Sequence, residues 1–160
     1  MALLLTVSSV LTVAAILLTA YLSYRLIRNL GTGDSRLPEA MALAVLTIVL
    51  ATVIANKTLS PQYIVWLGGP VAALYLHRVS GWLRRHLNVL AASLILLGAL
   101  TQVTYPWAAF GIMAVPLGSG PETAVLILRN TGLVVLTGYA LWLTVKSSTR
   151  LRDTLSREIG

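Results

Sequence analysis

Three short stretches of this chain carry residues able to do chemistry. The first, NKTLSPQYIVWL (Asn56 to Leu67), gathers an amine, two amides, two hydroxyls and a proline, followed at once by tyrosine and tryptophan. Ser60 suits an N-cap and Pro61 the first helical position, where the missing N–H costs nothing. A helix opening there presents free N–H groups and the positive end of its dipole, which attract an anion. Lys57 adds a full charge close by, and Asn56, Thr58 and Gln62 add donors that can orient phosphate oxygens or sugar hydroxyls. The second stretch, TQVTYPWAAFGIM (Thr101 to Met113), sets Gln102 and Thr104 just ahead of Tyr105-Pro106-Trp107. The third, TAVLILRNTGLVV, holds Arg129 and Asn130 inside an apolar run. An arginine there costs at least ~2.5 kcal/mol at mid-depth of a bilayer unless it pairs, snorkels or meets water, and gripping a phosphate is one use that repays it.

Each stretch also has a plainer reading. Asn56 to Gln62 serves as a capped turn if Lys57 merely snorkels to lipid phosphates. Tyr63, Trp66, Tyr105 and Trp107 suit an interfacial aromatic belt, and Gln102 suits a hydrogen bond between helices. Arg129 could snorkel while holding a structural hydrogen bond. Asn56-Lys57-Thr58 is also a glycosylation sequon, but it lies too near the apolar runs to be a convincing acceptor. With no cysteine in the chain, disulfide and thiol chemistry are excluded. No His, Asp or Glu cluster has metal-ligand spacing, so neither a protein-held metal nor another cofactor is expected.

The elements that must position these residues are apolar. Of 160 residues, 57% are hydrophobic and 11% charged, against roughly 25% charged in a soluble domain. Runs near the roughly 20 residues needed to cross a bilayer, without the alternation of barrel strands, predict an all-α integral membrane bundle. Five spans are drawn at about 2–24, 39–56, 62–78, 88–110 and 123–145, with a basic tail at 147–160. Arg25, Arg28 and Arg36 follow the first span, Arg78, Arg84 and Arg85 the third, and Lys146, Arg150, Arg152 and Arg157 the last. Lys57 stands alone on the other side. The positive-inside rule therefore puts the N-terminus outside and the tail in the cytoplasm of a plasma-membrane, multi-pass protein. The net charge of +7 follows the loops and does not imply nucleic-acid binding. The tail is expected as a short helix whose basic residues can rest on anionic headgroups.

The third span is short, and Gly68-Gly69-Pro70 permits a kink within it. A short, broken helix holds its polar start at lipid-phosphate depth. The outer ends of spans three, four and five all carry polar groups at a similar level, so the expected site is an outward-facing anion cradle.

At these residues the chain resembles a family. Asn-Lys…Ser-Pro-Gln-Tyr…Trp is similar to a motif in the later spans of the polytopic GT-C enzymes of glycosyltransferase family 87. TQVTYPW and Leu128-Arg129-Asn130 resemble the segments that follow it there, in the same order. The likeness covers roughly residues 40–145. It implies transfer of a sugar, mannose first among the candidates, from a polyprenyl-phosphate donor to a lipid or glycan acceptor outside the membrane. Carried over, Asn56, Lys57, Ser60, Gln62 and Tyr63 line the donor pocket, Gln102 and Tyr105 border it, and Arg129 helps hold the phosphate. The family's acidic residue in an early outer loop has no counterpart. Deprotonating an acceptor hydroxyl needs such a carboxylate, and of the five acids only Glu122 is expected outside. The resemblance thus implies the C-terminal portion of such an enzyme, assigns no catalytic residue, and makes the N-terminal part of the same enzyme an expected partner alongside membrane lipids. A non-catalytic lipid-binding or accessory subunit is the competing reading. A small transporter component is a third, opposed by the near absence of charge in spans one and two and of any inverted repeat.

Overall fold

The computed structural model describes the backbone of residues 2–29, 37–55, 61–76, 79–107 and 120–159. Within these ranges it describes all side chains but those of residues 2–5, 7, 8, 11, 61, 62, 106, 107 and 148–159. Helix α1 is Ala2–Arg28 and α2 is Leu37–Ala55. A 3-10 segment, Pro61–Leu67, leads into α3, Gly68–Leu76. Helix α4, Gly81–Gln102, passes into a π-helical turn, Val103–Trp107, and α5 runs from Gly120 to Ile159. Among the described residues, three helices are long and apolar enough to cross a membrane, over Leu37–Ala55, Gly81–Tyr105 and Gly120–Ser147, and Tyr63–Leu76 is a shorter apolar helix.

Helix α2 is the centre. It packs against α1, α3, the 3-10 segment and α5, while α5 also packs on α4 and α1. Its buried residues, from Ala40, Leu43 and Ala44 to Leu50, Ala51 and Val53, cover about half its circumference, and Met41 and Val45 face outward on the other half. Around it Leu67, Leu74, Leu83, Leu87, Leu90, Leu97, Leu133, Leu136 and Leu143 close one contiguous core. A buried hydroxyl pair ties α2 to α5, Thr47 Oγ1 to Thr144 Oγ1 at 2.9 Å. Each hydroxyl also faces a carbonyl one turn back, Leu43 at 2.8 Å and Ala140 at 2.9 Å. Two protons serve these three contacts, so one hydroxyl donates to the other and the second to its own helix.

Three boundaries differ from the sequence expectation, each for a local reason. The fourth span starts at Gly81 rather than near residue 88, because Ser80 caps it, its Oγ accepting from the Leu83 N–H at 3.3 Å. Arg84, Arg85 and His86 therefore lie on helix α4 and not in a loop. The third span opens as 3-10 rather than α. Pro70 has no N–H to give the Trp66 carbonyl and its ring crowds that oxygen, while Tyr63, Ile64 and Val65 have low α propensity. α geometry resumes only at Gly68, with Pro70 inside the first turn. A 3-10 run of seven residues is long for that geometry. The fourth span breaks at Tyr105, whose backbone is extended (φ −150°, ψ 128°), the conformation that Pro106 forces on its predecessor. Beyond the last span no break precedes the basic tail, and α5 continues through it to Ile159.

The bundle has two distinct ends. Thr12 Oγ1 donates to the Ala55 carbonyl at 3.1 Å, setting the first half of α1 beside the finish of α2. At the opposite end Leu26 packs with Ala40 and Leu37. The antiparallel run of the helices brings Arg25, Arg28, Arg84, Arg85 and Lys146 toward that second end. Among the described basic side chains only Arg129 belongs to the first. From Arg129 to Lys146 is about 25 Å along α5, close to the ~30 Å of a hydrocarbon core.

Candidate functional site

Arg129 is in register with the core-facing stripe of α5, Leu133, Leu136, Ala140 and Leu143, and is 4% exposed. On α4 the buried stripe Leu83, Leu87, Leu90 and Leu97 continues into Thr101 and, past the end of the helix, Thr104. The two stripes meet at the polar end of each. Arg129 Nε donates to Thr101 Oγ1 at 3.1 Å, and Nη1 reaches Asn130 Oδ1 in a longer contact of 3.5 Å. Thr101 in turn donates its only hydroxyl proton to the Leu97 carbonyl at 2.7 Å, which leaves its lone pairs for the guanidinium. Thr104 Oγ1 donates to the Thr101 carbonyl at 2.8 Å. The result is a cation fixed between two helices near the end of the bundle where α2 finishes.

Of the residues singled out from sequence, the structure joins Arg129 to the C-terminal end of α4, but through Thr101 rather than Gln102 or Tyr105. Both of those are exposed. One residue of register decides it. Thr101 and Thr104 fall on the core stripe, and Gln102 and Tyr105 fall one step off it. Tyr63 is half-buried, packs against the core, and sets its ring 4.9 Å from that of Trp66. Asn56, Lys57 and Ser60 lie outside the described residues, as does the side chain of Gln62. The dipole argument for that stretch changes with the winding: a seven-residue 3-10 segment, and not an α-helix, begins at Pro61. Helices α2 and α4 are both neighbours of this segment and of α5.

Thr101 was the residue missed. Extending the Leu83, Leu87, Leu90, Leu97 spacing by four residues finds it. Glu122 is the acid nearest this end of α5, two turns before Arg129, and its Oε2 is enclosed with no hydrogen-bond partner among the described residues. No group of three His, Asp or Glu that could hold a metal occurs among the described residues. No protein-family model, curated protein or solved structure matches the chain.

Proposed function

We propose that this chain is the donor-binding membrane portion of a GT-C-type glycosyltransferase, holding a polyprenyl-phosphate sugar at the outer face. In this reading α1 and the Pro61–Leu76 unit join α2, α4 and α5 as spans, which makes five. The basic end is cytoplasmic and the Arg129 end exterior. The observation that carries the proposal is the buried Arg129, held by Thr101 of α4 toward the end of the bundle where α2 finishes and Pro61 begins. An arginine desolvated between helices keeps its charge in a low-dielectric setting, where a phosphate is its best partner. Lys57 and the amides of Asn56 and Gln62 supply the second half of the cradle. Sugar transfer requires a carboxylate from a partner segment, with Glu122 orienting the acceptor at most.

A second reading is favoured by the 4% exposure of Arg129. There the guanidinium clamps α4 to α5, and the protein is a non-catalytic membrane subunit. Photolabelling with a polyprenyl-phosphate-mannose probe in nanodiscs separates the two. Arg129→Gln keeps a donor for Thr101 but removes the charge, and Lys57→Ala removes the other cation. Each is expected to cut labelling about tenfold or more, the worth of a charge-assisted hydrogen bond, with membrane insertion intact. Parental labelling by both variants sinks the donor site and leaves the clamp. Restored transfer on co-expression with an N-terminal partner distinguishes enzyme from accessory subunit.

A further inference from the structure

At the opposite end of the same helix pair, α4 and α5 carry a second set of matched stripes. On α4 these are Trp82, His86, Val89, Ser93 and Leu96, and on α5 Lys146, Trp142, Tyr139, Val135 and Gly132. Steps of three and four residues keep each set on one face. The upper members line a groove of about 350 Å³, almost wholly apolar, between the two helices. Gly132 forms part of its floor: a Cβ there would come within 2.6 Å of Leu97 Cδ2, so glycine is what lets Leu97 lie across α5. The groove runs down to Tyr139, whose hydroxyl is hydrogen-bonded to His86 Nδ1. Trp82 and Trp142 flank that imidazole at 4.5 and 5.4 Å between centroids. Below them the Lys146 ammonium rests over both indoles, 4.6 Å from Trp142 and 5.7 Å from Trp82.

We infer that this face is a binding site for an anionic phospholipid of the leaflet at the basic end. One acyl chain lies in the α4–α5 groove, and the headgroup phosphate sits at Lys146. The order of chemistry along the stripe is that of the lipid itself: methylene-sized apolar walls, then indole and phenol at interfacial depth, then a cation. Lys146 closes the apolar span Gly120–Ser147, which is headgroup level, and the two indoles hold its ammonium in place beforehand instead of leaving a mobile stem. A lysine near the surface of an anionic leaflet is worth about 1 kcal/mol. The headgroup end at Lys146 is about 25 Å along α5 from Arg129, the groove reaches up to Gly132, one turn from it, and the proposal does not depend on donor binding at Arg129.

The full-length chain in nanodiscs, followed by native mass spectrometry of retained lipid, tests this. With equal phosphatidylglycerol and phosphatidylcholine of matched chains, the parent is expected to retain the anionic lipid preferentially. Lys146→Gln lowers that preference about fivefold, the equivalent of about 1 kcal/mol, and Lys146→Arg restores it. Val135→Trp, a change on an exposed groove wall, lowers retention of both lipids. Glycerol phosphate, which has no tail, does not displace bound lipid. The site is refuted if Lys146→Gln keeps the parental preference, if Val135→Trp retains lipid like the parent, or if glycerol phosphate competes. The last outcome would mark a soluble-phosphate site.

Discussion

Single hydroxyls set the polar geometry of this bundle. Thr101 is the clearest, because it takes a proton-rich guanidinium on one side and gives its own proton to Leu97 on the other. Thr101→Val leaves the backbone intact and strands a charged donor, so a loss of about 1–3 kcal/mol is expected, read as a lower melting temperature in detergent. Thr104→Val, which loses only a bond to the Thr101 carbonyl, should cost much less. Equal losses from the two would mean that Arg129 does not rely on Thr101. Thr47 and Thr144 make a contrasting case, since each hydroxyl keeps a carbonyl of its own helix when its partner is removed. Their coupling energy in a Thr47→Val and Thr144→Val cycle is expected near 0.6 kcal/mol, the average for such bonds in membranes. At this scale the sequence was partly legible. Arg129 stood out because a charge in an apolar run is conspicuous. Thr101 did not, because a threonine can sit in such a run without notice, and only its place on the leucine stripe marks it.

Elements were legible where hydropathy defines them and obscure where winding does. The ends of α2 were within two residues of expectation, since the run between Glu39 and Ala55 is apolar but for Thr47 and Thr52. Helix α4 began earlier than expected because its first turns are amphipathic, with Arg84 and Arg85 among Trp82, Leu83 and Leu87. Hydropathy does not see Ser80 as a start, whereas cap chemistry does. The 3-10 winding of Pro61–Leu67 could be read only from Pro70 acting backwards on the Trp66 carbonyl. Helix packing gives its own prediction. Gly132→Ile should cost about 1–3 kcal/mol by pushing Leu97 off α5. Gly138, with nothing within 4 Å of its Cβ direction, should accept alanine with a gain of up to about 1 kcal/mol. Thermal unfolding of the two variants checks both signs, and a neutral Gly132→Ile would mean the α4–α5 contact is looser than drawn.

For the whole molecule, the sequence conveyed an all-helical, membrane-type chain, whereas the contact of Arg129 on α5 with Thr101 on α4 came from the structure. Which helices sit next to one another was not legible. The central place of α2 shows only in its neighbours, because its buried half and its exposed Met41 and Val45 face are both apolar. The absence of cysteine makes orientation directly measurable. A single cysteine at position 57 should react with an impermeant maleimide on intact cells, and one at position 85 only after permeabilisation. The reverse pattern would invert the molecule and move Arg129 to the cytoplasmic leaflet. Position 57 also draws meaning from the tightly wound segment after it. Seven residues at about 2.0 Å each reach about 3.5 Å further than the same seven wound as α, and their side chains end about 140° round from where α winding would leave them. The Pro61–Leu67 stretch is thus a vernier between chain length and bilayer depth. Unwinding or tightening it by one register would change its length by ångströms and swing Trp66 to a new compass bearing.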